Sequence, residues 1–160
     1  MKKIRLETEL EVFDSLSELP EDVRRVMNKA HEARNRAYAP YSRFKVGAAI
    51  LLEDGNIVTG NNQENAAFPS GLCAERVAAF HAGAEYPGKA FRVLAITAGS
   101  VDEVNTKPIP PCGACRQSLA EYEKTQGSPM EIYFMGQEGA VVKAASMEDL
   151  LPFIFDSSYL

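Results

Sequence analysis

A short apolar run, "FRVLAITAG" from Phe91 to Gly99, lies between two segments that each open a helical pattern on a cysteine. The first is "GLCAERVAAF" from residue 71 and the second is "PPCGACRQSL" from residue 110. A run of that length without polar alternation suits a central strand buried on both faces. A helix–strand–helix path of this kind can set two helices side by side with their N-termini at one edge of a sheet. That edge is where open α/β sheets bind ligands. The two helical segments hold all three cysteines of the chain, Cys73, Cys112 and Cys115.

The remaining elements fit around that unit. "KIRLETELEVF" alternates Ile4, Leu6, Thr8, Leu10 and Val12 with charged residues, the pattern of a half-buried strand. A helix is predicted from Pro20, with Glu21 and Asp22 in its first turn and Val23, Val26, Met27, Ala30, Ala33 and Ala37 on one face. "FKVGAAILLEDGNIVTGNN" reads as two strands joined at Asp54-Gly55. The helix opening near Cys112 is expected to run to about Lys124. "MEIYFMG" and "AVVKAAS" follow as strands and "SMEDLLPFIF" as a short closing helix. This order predicts an α/β fold of three layers, α/β/α, about a mixed central β-sheet.

Totals narrow the function classes. A chain of 160 residues is most economically one domain, residues 1–160, with a proper core. A net charge of −5 and the lack of a basic block argue against nucleic acid, whose binding needs Lys and Arg to displace counterions. No apolar run approaches the roughly 20 residues that span a bilayer, so no membrane partner is expected. The start shows no secretory signal, which makes the cytoplasm the expected location. There the cysteines are expected to be reduced.

Cys112 and Cys115 are three apart at a helix start and share one face. Unpaired N–H groups and the positive dipole end favour thiolates there. Three sulfurs converging from two helix ends make a zinc site, and neither His31 nor His81 has a ligand spacing. Structural zinc normally takes four protein ligands, whereas catalytic zinc keeps a position for water. Glu75, two residues after Cys73, is then the base beside that water. Arg76 can offset the charge of three thiolates by hydrogen-bonding to sulfur. Taken singly, these features also fit a redox C-x-x-C pair, two small helix residues, or a solvated first-turn acid. The joint pattern of C-x-E followed by P-C-x-x-C is more specific and is a zinc deaminase signature.

From about Pro20 to Phe155 the chain resembles the small homotetrameric cytidine deaminases, zinc-dependent members of the cytidine/deoxycytidylate deaminase superfamily. The matching stretches are "AYAPYSRFKVGAAI", "GNNQENAAFPSGLCAERVA", "PCGACRQSL" and "LLPFIF". The resemblance implies one Zn2+ per subunit on Cys73, Cys112 and Cys115, with Glu75 as proton shuttle. It implies that Asn62 and Glu64 hold the ribose of a nucleoside and that Phe44 lines the pyrimidine site. Backbone around Ala66 and Ala74 touches substrate, and Phe155 reaches a neighbouring subunit's site. The implied reaction is hydrolytic deamination of cytidine and deoxycytidine in pyrimidine salvage, by a cytoplasmic homotetramer. Phe68 stands where the family usually has Tyr, beside the subunit boundary, and Pro110 where Ser or Thr is usual. Residues 1–14 exceed the usual N-terminus and are expected to form an extension strand. The rivals are a blasticidin-type deaminase, a thiol–disulfide oxidoreductase built on "CGAC", and a non-catalytic zinc module.

Overall fold

A computed structural model describes residues 1–160. The elements are β1 (Glu11–Phe13), α1 (Glu21–Asn35), β2 (Phe44–Leu52), β3 (Ile57–Asn61), α2 (Ala74–Glu85), β4 (Phe91–Ser100), α3 (Gly113–Gln126), β5 (Glu131–Met135) and β6 (Val141–Ala144). The six strands form one sheet in the order β1-β6-β5-β4-β2-β3. Only β4 and β5 pair in parallel; every other pair is antiparallel. The sheet is therefore mixed, as predicted.

Side chains of the central strands alternate between two cores. Ala48, Ile50 and Leu52 of β2, Leu94 and Ile96 of β4, and Ile132 and Phe134 of β5 join α2 and α3 in one cluster. Ala49, Leu51, Val93, Ala95, Tyr133 and Met135 face the other way, onto Val23, Val26, Met27 and Ala30 of α1. Burial on both faces is why these strands carry apolar runs without polar alternation. The result is three layers, with α1 on one side and α2 and α3 together on the other.

Local chemistry sets the boundaries. Glu21 and Asp22 fill the first turn of α1, and Arg34 its last, matching the helix dipole at both ends. The β2–β3 hairpin turns at Gly55, whose φ of +87° is left-handed. Asn56 N donates to Asp54 Oδ1 at 3.1 Å across the same turn. Gly127, with φ of +67°, ends α3.

Two predicted elements differ. The strand expected from Ile4 to Val12 shrinks to Glu11–Phe13, paired to β6 at the sheet edge. Ile4 and Leu6 are exposed, and β6 has only four residues to pair with. The alternating pattern thus has neither a full partner strand nor a layer to cover it. The closing helix is reduced to a 3-10 turn, Met147–Asp149, capped by Ser146 and Asp149. Pro152 disfavours helical backbone at Leu151, and Phe153 follows in a left-handed conformation with φ of +59°.

Gly47 and Gly60 let helices lie directly on the sheet. A Cβ at Gly47 would collide with the Ala30 carbonyl and Arg34 amide of α1. One at Gly60 would collide with the Ala78 amide and Ala74 carbonyl of α2. Gly60→Ala is expected to destabilise the fold by about 1–3 kcal/mol through overpacking. Urea unfolding checks this, with a lower midpoint at an unchanged slope as the expected result.

Candidate functional site

Helices α2 and α3 pack against each other, and each has a cysteine as its N-cap residue. Cys73 and Cys112 are both extended there, and neither side chain caps its own helix. Cys115 lies in the first turn of α3, fully buried, while Cys73 is half-buried and Cys112 exposed. The three Sγ atoms all lie within 4.8 Å of one another. Cys73 Sγ and Cys112 Sγ are 3.8 Å apart, too far for a disulfide.

This donor set fits zinc. A tetrahedron with Zn–S bonds near 2.3 Å has sulfur–sulfur edges of about 3.8 Å. The ligating group comprises these three sulfurs alone, without either histidine. His31 sits on α1, across the sheet, and His81 is exposed on α2.

The electrostatics set two of the sulfurs, Cys73 and Cys115, against each other. A hydrogen bond from Cys115, helped by donation from Arg76, brings the Cys73 thiol down to about 5. The same bond and burial push the Cys115 thiol up. Arg76 Nη2 donates to Cys73 Sγ at 3.8 Å, the sulfur contact expected of it. Glu75 is only 4% exposed, and burial pushes its carboxyl up to about 7.

A cavity of about 510 Å3 opens beside Cys73, lined by Tyr41, Ser42, Asn62, Glu64, Phe68 and Leu72 among others. Glu64 Oε2 accepts from the backbone N–H of Tyr41 at 2.9 Å and of Ser42 at 3.2 Å, and Oε1 from the Ser42 hydroxyl. That hydroxyl bond, with the two amides, holds the Glu64 carboxyl below its ordinary range. Asn62 Oδ1 accepts from Val46 N at 2.8 Å, and its Nδ2 donates to the Phe44 carbonyl at 2.9 Å. Asn62 therefore ties the end of β3 to the start of β2, with one lone pair and one N–H to spare. Phe68 is 76% exposed, and its ring meets Tyr41 edge-on at 6.2 Å.

Of the sequence-predicted residues, the fold brings Asn62, Glu64, Phe68 and Cys73 to this cavity. Glu75 and Arg76 lie against Cys73 and Cys115, and of this group only Cys73 lines the cavity. Phe44, Ala66, Ala74 and Phe155 are not among its lining residues. Phe44 is half-buried at the start of β2, Ala66 is exposed, and Ala74 is wholly buried beneath the first turn of α2. Phe155 stacks on Tyr159 at 5.7 Å and is 59% exposed. Sequence reasoning missed Tyr41 and Ser42.

The family described as "Cytidine and deoxycytidylate deaminase zinc-binding region" matches residues 20–127. A cytidine deaminase of Sporosarcina psychrophila is 40% identical over 139 residues, covering 87% of this chain and 95% of that one. One of Halalkalibacterium halodurans is 40% identical over 134 residues, covering 84% and 94%. The crystal structure of cytidine deaminase from Burkholderia pseudomallei superposes with a TM-score of 0.71 at 40% identity, over 82% of this chain and 97% of that one.

Purified protein is expected to carry about one zinc per chain, the stoichiometry of a single three-sulfur site. Cys112→Ser should lose most of that metal by atomic absorption, and full zinc occupancy in the variant would remove Cys112 from the ligand set.

Proposed function

The chain belongs to the cytidine and deoxycytidylate deaminase family, and from that premise we propose that it hydrolyses cytidine to uridine and ammonia. The observation that carries the reading is the buried Glu75 beside a cluster of three sulfurs, one of which, Cys73, lines a nucleoside-sized cavity. Cys73, Cys112 and Cys115 would hold zinc, which when bound would supply Lewis acidity that lowers the pKa of a water molecule toward neutrality. Glu75 takes one proton from the attacking water and delivers it to ring N3 as the water oxygen bonds to C4. It then carries the second proton from that oxygen to the amine, and the C4–N bond breaks to release ammonia. The burial of Glu75 excludes bulk water from this transfer, which strengthens its interactions with the reacting atoms. Arg76 bonds to Cys73 and limits the negative charge gathered on the sulfurs.

Substrate is held on the cavity side. Glu64 is fixed by the Tyr41–Ser42 backbone, so its carboxylate is presented in one orientation. Together with Asn62 it supplies acceptors and a donor for the vicinal hydroxyls of ribose. Phe44, backbone at Ala66 and Ala74, and Phe68 complete the substrate contacts in this reading. No helix is long and apolar enough to cross a membrane.

We infer further that deoxycytidine is also accepted and that the reaction serves pyrimidine salvage in the cytoplasm. Three unpaired cysteines support a reducing location. We also infer a homotetramer in which Phe155 enters a neighbour's site. Support comes from aromatic rings left in solvent: Phe68, Phe153 and Phe155 are all more than half exposed.

Glu75→Gln should retain zinc yet lose about 10²–10⁴-fold in kcat, the range for a general acid–base. The ultraviolet change on cytidine turnover measures it, and near-wild-type turnover would exclude the role. Free cytosine, which lacks the sugar, should fall on the order of 10²-fold or more in kcat/KM, because the polar cavity groups are left unpaired.

A further inference from the structure

Arg116 directly follows the buried ligand Cys115 in the first turn of α3 and does not line the substrate cavity. Its guanidinium, half-buried, makes two bonds to distant backbone. Nε donates to the Pro111 carbonyl at 2.8 Å, and Nη1 to the Leu150 carbonyl at 2.6 Å. The Pro111 carbonyl belongs to the peptide that leads into Cys112. Two consecutive prolines, Pro110 and Pro111, fix φ on the approach to that cysteine, and Pro111 restricts the ψ of Pro110, but the ψ of Pro111 stays open. The bond from Arg116 fixes the ψ of Pro111.

The far anchor is firm. Leu150 closes the Met147–Asp149 turn, whose Met147 N–H donates to Glu123 of α3 at 2.9 Å. Glu123 also accepts from Met130 N at 2.7 Å and from the Ser146 hydroxyl at 3.0 Å. The planar fork of Arg116 thus spans from the metal loop to a point braced on the same helix. Cys112 has the greatest need of such a brace. Cys115 is held by core packing and Cys73 by Arg76, while the exposed Cys112 sulfur has one hydrogen-bond partner, Cys73 Sγ.

We propose that Arg116 is a positioning residue for the metal, locking the Pro111–Cys112 peptide against Leu150 so that the Cys112 sulfur stays where zinc needs it. The inference rests on the zinc reading of the site but not on the identity of the substrate. The neighbouring Gln117 provides the control. It donates to the Phe155 carbonyl at 2.8 Å, holding the C-terminal segment without touching the metal loop.

The experiment measures zinc release from the purified protein into excess chelator, followed with a colorimetric zinc indicator. Arg116→Ala should release zinc about 10–100-fold faster than wild type, the range for outer-shell partners of a ligand. Arg116→Lys, which can reach only one carbonyl, should fall between the two, and Gln117→Ala should stay within about twofold of wild type. With zinc saturating, kcat should fall in the Arg116 variants while KM for cytidine stays within about twofold. Release from both Arg116 variants at the wild-type rate overturns the proposal. So does release from Gln117→Ala as fast as from Arg116→Ala, since that marks general loosening of the C-terminal segment. If Arg116→Ala does not fold, Arg116→Lys decides alone. Wild-type protein that holds zinc but leaves cytidine intact sinks the deamination reading and not this one; wild type without zinc sinks both.

Discussion

One parallel pairing governs where the sulfurs meet. Because β5 runs parallel to β4, the chain leaving β4 must cross back over the sheet before it can pair again, and α3 is that crossover. Helix α2 enters β4 from the same face, so both helices run opposite to the strand between them. Their N-termini then share the edge at the C-terminal end of β4. An antiparallel β5 would have needed only a hairpin, and Cys112 would have had no helix to begin.

Convergence creates an electrostatic problem that the surroundings only partly relieve. Cys73 is held low and Cys115 is driven up, the split expected when like charges compete for a shared, partly buried space. Arg76 relieves one charge, and Glu75 is buried close by, so further ionisation would add to the conflict. A divalent cation is what allows three thiolates to coexist there, since metal coordination deprotonates a thiol outright. The same cation would leave the sulfur cluster at a formal −1, which one guanidinium balances.

Reading the sequence worked where a pattern and its environment agreed. The apolar run of β4 has an apolar layer on each face, and Gly55 supplies the left-handed turn after Asp54. The cysteines announce helix starts because Cys73 and Cys112 occupy the N-cap positions. The pattern from Ile4 to Val12 misled because periodicity says nothing about whether a partner strand is long enough. The closing helix was contradicted locally by Pro152, a breaker inside the predicted span. Tyr41 and Ser42 were invisible for another reason. Two of their three bonds to Glu64 come from backbone N–H groups more than twenty positions away, which every non-proline residue carries, and the third from a Ser42 hydroxyl that no local pattern marks out.

The N-cap cysteines carry a stability penalty of their own. Ser, Thr, Asp or Asn at such a position usually bonds an orphan backbone N–H and stabilises a helix by about 1 kcal/mol over a residue that cannot cap. Cys73 and Cys112 make no such bond, and two helices begin uncapped by their own side chains. Sulfur accepts hydrogen bonds weakly, so a cap optimised for stability would not be cysteine. Yet the N–H groups left unpaired, with the helix dipole behind them, favour an anion at the helix start. A thiolate turned away from its own backbone can receive that field while its lone pairs face a cation. Forgoing two caps therefore leaves α2 and α3 less stable at their first turns and more strongly charged where the sulfurs gather.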